Sequence, residues 1–326
     1  MRKISMQKLS RLRQTAAMRA MLSETNLNIS QFIAPLFVHA SINVKQEISS
    51  MPGIFQLPLN MLEEEVNELL ALGIKAVILF GLPLTKDEQG SASFSDDGIV
   101  QQAIRLLRAR FPELLIIADA CFCQYTTHGH CGILTEGELD HAKTLPLLAK
   151  QAVSFARAGV NWVAPSGMID GMVAAIRSSL DANGYHNTAI LSYAVKYQSH
   201  LYGPFREAAQ GAPKFGDRAS YQMNPANAEE ALREALIDLE EGADMLMVKP
   251  AMFYLDIIQR VKQAYKTVPL CAYQVGGEYA LIKQSANLGF FNAEQLMLES
   301  LLAIKRAGAD FIISYFSKQF AKFINS

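Results

Sequence analysis

Short, continuous apolar runs recur along the chain, and a helical pattern follows each one. The runs are "FIAPLFV" (32–38), "AVILF" (76–80), "LLIIAD" (114–119), "NWVAP" (161–165), "AILSY" (189–193), "MLMVK" (245–249), "PLCAYQV" (269–275) and "FIISY" (311–315). Unbroken rather than alternating apolarity predicts strands of a parallel sheet covered on both faces. Amphipathic helices lie between the runs. "LNMLEEEVNELLALG" should open on Asn60 as N-cap and stop at Gly73. "NPANAEEALREALIDLEEG" offers Asn224 or Asn227 as cap and Gly242 as stop, and "FNAEQLMLESLLAIKRAG" offers Asn292 and Gly308. The phrases "ALGIKAVI", "RAGVNWVA", "EEGADMLM" and "RAGADFII" repeat one order: helix, Gly stop, short turn, strand.

That order across eight strands predicts the α/β class and a (β/α)8, or TIM, barrel over residues 32–326. A doubly wound open sheet is the alternative, but "LFVHASINV" after the first strand lacks its Gly-rich phosphate loop. Residues 1–31 are basic and weakly amphipathic, with no obvious place in a barrel. They read as an extended N-terminal arm that packs on a neighbouring subunit; a frayed terminus is the plainer reading.

Composition narrows the partners. Lys plus Arg is 30 and Asp plus Glu is 31, a balance that points away from nucleic acid and anionic membranes. The longest apolar stretches, such as "AVILFGLPL", are too short to span a bilayer, and no apolar signal-peptide core follows the basic start. A cytoplasmic protein is expected. Four cysteines in 326 residues do not make a disulfide scaffold; in a reducing compartment their clustering favours metal binding or catalysis.

In a barrel the chemistry sits at the C-terminal strand ends. Those ends carry Asp119 and then cysteines, Ser166, Lys196, Lys249, Tyr273 with Gln274, and Tyr315. Cys121 and Cys123, two apart, can point the same way in an extended segment, and Cys131 can return to them through a Gly-containing loop. Three thiolates suggest zinc with an open position, with His128 and His130 as alternative ligands. The plainer reading is unreactive buried cysteines, and it is preferred for Cys271. Lys196 and Lys249 end adjacent strands. Each ammonium disfavours the other's charge and desolvation adds to this, so both pKa values should fall. A neutral lysine attacks a ketone to form a Schiff base; pairing with a carboxylate such as Asp119 is the alternative. The long segment 198–222, carrying Arg206 and Arg218, reads as a lid whose guanidiniums suit a substrate carboxylate.

The motifs "APLFV", "DACFCQYTTHGHCG", "APSGMIDG", "SYAVKY", "YGPFREA", "GDRASYQMNPAN", "GADMLMVKP", "AYQVGGEYA", "ESLLAIKRAGAD" and "SYF" occur in order over nearly the whole chain. Together they resemble the porphobilinogen synthase (5-aminolevulinate dehydratase) family. The resemblance implies condensation of two 5-aminolevulinate molecules to porphobilinogen with loss of two waters, a hydro-lyase step of tetrapyrrole (heme) synthesis. It implies a Schiff base on Lys249 with the propionate-side substrate and on Lys196 with the acetate-side one. Cys121, Cys123 and Cys131 match the zinc-binding version of the family. Arg206, Arg218 and Gln222 match lid residues that hold the acetate-side carboxylate, and Tyr315 matches a propionate-side ligand. Glu234 matches an allosteric magnesium ligand at a subunit boundary, and the family implies a homo-octamer with embracing arms. Gly276 stands where the family usually has a carboxylate-binding serine, which implies a weaker first-substrate site. Two other readings compete: a class I aldolase-like Schiff-base lyase, and a non-catalytic zinc-sensing barrel. The second lysine and the cysteine trio argue against the first, and the two intact lysines against the second.

Overall fold

The computed structural model describes residues 7–325. Eight parallel strands pair in chain order: β1 (Phe32–His39), β2 (Ala76–Leu82), β3 (Leu115–Ala120), β4 (Trp162–Pro165), β5 (Ala189–Lys196), β6 (Met245–Lys249), β7 (Leu270–Gln274) and β8 (Phe311–Ser314). Phe32 pairs with Ile312 and Ile33 with Ile313, which joins β8 to β1 and closes the barrel. The expected architecture is therefore present. β1 and β2 are buried at every position, as their unbroken apolarity predicts. Along β2, Ile78 and Phe80 join one apolar cluster with Tyr193 and Tyr273, while Val77 and Leu79 join another with Val66, Ile104 and Leu107 of the helices. Period-2 alternation thus divides one apolar strand between barrel interior and helical shell.

The outer layer contains α1 (Leu62–Ala71), α2 (Ile99–Arg110), α3 (His141–Ala158), α4 (Met172–Ala182), α5 (Glu230–Glu240), α6 (Leu255–Ala264), α7 (Gly276–Asn287), α8 (Ala293–Ala307) and α9 (Ser317–Asn325). Asn292 caps α8 as expected, its Oδ1 accepting from Glu294 N–H and Gln295 N–H at 3.0 Å each. The other two cap expectations are corrected. A 3-10 turn over Leu59–Met61 absorbs Asn60, and α1 begins after it with no side-chain cap. Asn224 caps its own turn at Ala226, Asn227 donates to Glu230, and α5 starts without a side-chain cap. The glycine stops hold: Gly73, Gly242 and Gly308 all have positive φ, a conformation glycine adopts without steric cost.

Among the described residues four short strands escaped the sequence pattern, two of them, Leu134–Thr135 and Glu138–Leu139, forming a separate antiparallel pair. Phe55–Pro58 runs parallel to β1 and pairs antiparallel with Gln46–Glu47. Of the proposed arm, residues 1–6 lie outside the described residues. Leu9–Arg13 forms a 3-10 turn and Ala16–Met21 a helix, and neither buries a side chain. Among the described residues no helix is long and apolar enough to cross a membrane.

Candidate active site

The two lysines meet because β5 is irregular. Leu246 sits opposite Ser192 and Val248 opposite Val195, so two residues of β6 span three of β5. Past this bulge Lys249 pairs with Lys196. Without the extra residue Lys249 would face Val195, and Lys196 would point to the other face of the sheet. Both lysines are almost fully buried, at 4% and 5% exposure.

Four aromatic rings surround Lys249. Its Nζ lies 4.3 Å from the Tyr273 centroid, 5.0 Å from those of Tyr193 and Phe205, and 5.3 Å from that of Tyr202. Tyr202 and Phe205 belong to the segment read as a lid, so that segment closes over the lysine. Burial, and then the Lys196 charge, lower the Lys249 pKa to about 7. Lys196 Nζ donates to the Ser166 carbonyl. Asp119 is buried beside both lysines and accepts from Gln124 Nε2 at 3.4 Å. Burial raises its carboxyl pKa, against the pull of Lys249 and Lys196.

Cys121, Cys123 and Cys131 converge in a buried cluster, with ligand atoms all within 4.8 Å of one another. Among the described residues this is the only group of three or more His, Cys, Asp or Glu donors so arranged, and it could hold a metal ion. Soft thiolates suit zinc, and a fourth protein ligand is not part of the group. The histidines do not join it. His130 is engaged by Tyr221 OH (3.2 Å) and the Phe215 carbonyl (3.0 Å), and His128 Nδ1 accepts from His130 N–H.

The lid arginine Arg218 bridges toward this cluster. Its Nη2 donates to the carbonyls of Gly129 (2.8 Å) and Gly211 (2.6 Å), tying the lid to the cysteine loop. Nε of Arg206, Nε of Arg218 and both polar atoms of the Gln222 side chain are buried without hydrogen-bond partners. The three donors among them, Arg206 Nε, Arg218 Nε and Gln222 Nε2, are costly to bury unless something accepts from them, which fits a ligand carboxylate. On the other side of the mouth, Tyr315 OH lies 3.2 Å from Tyr273 OH. Gly276 opens α7, also buried. A Cβ at Gly276 would lie 2.7 Å from Met51 Sδ, so Met51 fills the space a serine would need.

Glu234 stands apart from the lysines. It lies on α5, lining a cavity of about 740 Å³ with Asp170, Glu230 and the lid residues Tyr221 and Gln222. Burial, then Asp170 and Glu230, raise its carboxyl pKa. A larger groove of about 1060 Å³ runs along the flank by Asp96, Lys150 and Arg157 and contains none of the predicted site residues. The sequence reading missed Tyr193, Tyr202, Phe205 and Met51, because an aromatic or Met in an apolar run carries no mark distinguishing cage from core.

The delta-aminolevulinic acid dehydratase family model matches residues 6–323. A delta-aminolevulinic acid dehydratase of Halalkalibacterium halodurans is 53% identical over 315 residues, covering 97% of this chain and 96% of the relative. One of Bacillus subtilis is 50% identical over 314 residues, covering 96% and 97%. The crystal structure of the Toxoplasma gondii delta-aminolevulinic acid dehydratase (porphobilinogen synthase), in complex with the reaction product porphobilinogen, superposes with a TM-score of 0.95. It is 40% identical, with 98% of this chain and 91% of that one covered. An aldolase, QR15, shares the fold alone, at 14% identity and a TM-score of 0.50. The chain belongs to the delta-aminolevulinic acid dehydratase family, whose activity, porphobilinogen synthase, is a hydro-lyase reaction.

Proposed function

We propose that the barrel mouth joins two molecules of 5-aminolevulinate into porphobilinogen with loss of two waters, using Lys249 and Lys196 as paired imine-forming amines. The observation that carries this reading is the direct pairing of two buried lysines, one with a pKa near 7. Joining two copies of one ketone requires both carbonyls to be activated and told apart, and two imines do both. Lys249 takes the substrate that becomes the propionate side, with its carboxylate against Tyr315 and the backbone at Gly276. Lys196 takes the acetate-side substrate, whose carboxylate accepts from Arg206, Arg218 and Gln222. The unpartnered donors there support that assignment.

Cys121, Cys123 and Cys131 hold zinc in this reading. When bound, zinc supplies a Lewis acid that keeps the second substrate's amine unprotonated. Glu234 is assigned an allosteric magnesium, and residues 1–31 an arm that grips another subunit of a homo-octamer. The exposed apolar side chains Leu9, Leu12, Met18, Met21 and Leu22 support the arm. Incubation with 5-aminolevulinate, with and without a zinc chelator, tests the function. Porphobilinogen should form and should stop on chelation; no product from metal-replete protein would sink the reading, and chelator-resistant turnover would remove zinc from it.

A further inference from the structure

We propose that Glu278 is a positioning residue for Lys249: its carboxylate fastens the chain leaving β6 to the chain leaving β7. The inference rests on Lys249 as an imine-forming amine. Glu278 has no exposed surface. Its Oε1 accepts from Ala251 N–H at 3.0 Å and from Met252 N–H, two and three residues beyond Lys249. Its Oε2 accepts from Val275 N–H at 2.6 Å, next to Gly276. A helix cap would need only the Val275 contact. The other oxygen reaches across to a different strand.

The place of this bridge matters. The β6–β7 pairing runs from Leu246↔Leu270 to Val248↔Ala272 and stops there, one residue short of Lys249. Beyond that point β6 and β7 no longer pair with each other, although Lys249 still pairs with Lys196 and Gln274 with Ser314, and the carboxylate ties the two exits together. Gln274 reinforces the same spot: its Nε2 lies 3.5 Å from Met252 Sδ and 2.9 Å from Ser300 Oγ, and Ser314 Oγ donates to its Oε1 at 2.6 Å. On the opposite side the Lys249 carbonyl accepts from Tyr197 N–H (2.9 Å) and Tyr202 OH (3.3 Å). The backbone of Lys249 is thus fixed from both flanks. A buried carboxylate is costly, and three N–H donors offset that only where both segments are in place. Misplacing a reacting amine by about 1 Å can cost on the order of 100-fold in rate.

The test uses labelled 5-aminolevulinate at saturation, borohydride quenching, and mass mapping of the labelled lysine. It compares the unsubstituted protein with Glu278→Gln and Glu278→Asp, each assayed well below its own Tm. Gln keeps the length but has one acceptor oxygen for two segments; Asp keeps both oxygens and is one methylene short. Labelling of Lys249 per folded chain should slow about tenfold or more in both. A rate equal to the unsubstituted protein's in either folded variant, even with a lowered Tm, would overturn the inference and leave Glu278 a helix cap. If Gln does not fold, the Asp variant decides. Failure to label Lys249 in the unsubstituted protein would overturn the parent reading instead.

Discussion

Lys249 carries the most specific expectation at the residue scale. An amine attacks a ketone only when neutral, and this one has its pKa lowered to about 7 from the ordinary lysine value. Above that pH it is mostly free amine; below it the amine protonates. Imine formation at Lys249 should therefore fall about tenfold per pH unit once pH is well under 7. Trapping rates from pH 5 to 9 would show it; a midpoint near that of a solvated lysine would reject the buried-amine account. Gly276 gives a second expectation. A serine there would collide with Met51 Sδ at 2.7 Å and crowd Pro204 Cβ at 3.1 Å. Gly276→Ser alone should not help binding. Together with Met51→Ala it gains room for the hydroxyl, and a charge-assisted hydrogen bond of about 1.5–3 kcal/mol should lower KM roughly tenfold or more. An unchanged KM in the double variant would mean that the first substrate's carboxylate does not bind there.

Much of the architecture was legible at the scale of elements, because it rests on patterns that burial imposes. The β1 run ends one residue short of the observed strand and the β6 run matches its strand residue for residue, since a strand covered on both faces is apolar along nearly its whole length. Caps were less legible. Asn292, Asn60 and Asn227 look alike in sequence, yet only the first accepts from a helix N-terminus. Asn292→Ala should cost about 1 kcal/mol, and Asn60→Ala less than about 0.5 kcal/mol as an ordinary surface change; comparing denaturant midpoints checks the pair, and equal losses would contradict the cap assignment. The β5 bulge could not be read at all. "AILSYAVK" has no glycine or proline at Tyr193 or Ala194 to flag an extra residue, because the irregularity comes from pairing with β6. The lysines were found from their strand ends, but the device that puts them on one face was not. The cysteine trio was legible because its donors sit close in sequence. Glu278 was not, because its three partners come from two strand exits.

The whole molecule is a closed barrel preceded by Leu9–Arg13 and Ala16–Met21, which bury no side chain, and by Leu27 and Ile29, which pack against the barrel core. The proposed arm would cover the exposed side chains of Leu9, Leu12, Met18, Met21 and Leu22 against another subunit. Deleting residues 1–25 should lower the mass measured by light scattering while the far-ultraviolet circular dichroism of the barrel persists; an unchanged mass would remove the arm from the account. In the proposed reaction the barrel brings two amines to one place, and that can be tested at its centre. Borohydride reduction in the presence of labelled 5-aminolevulinate, followed by peptide mapping, reads which lysine has become an imine. The account predicts label on Lys249, lost together with porphobilinogen formation in Lys249→Met. Label and turnover that both survive Lys249→Met would contradict it.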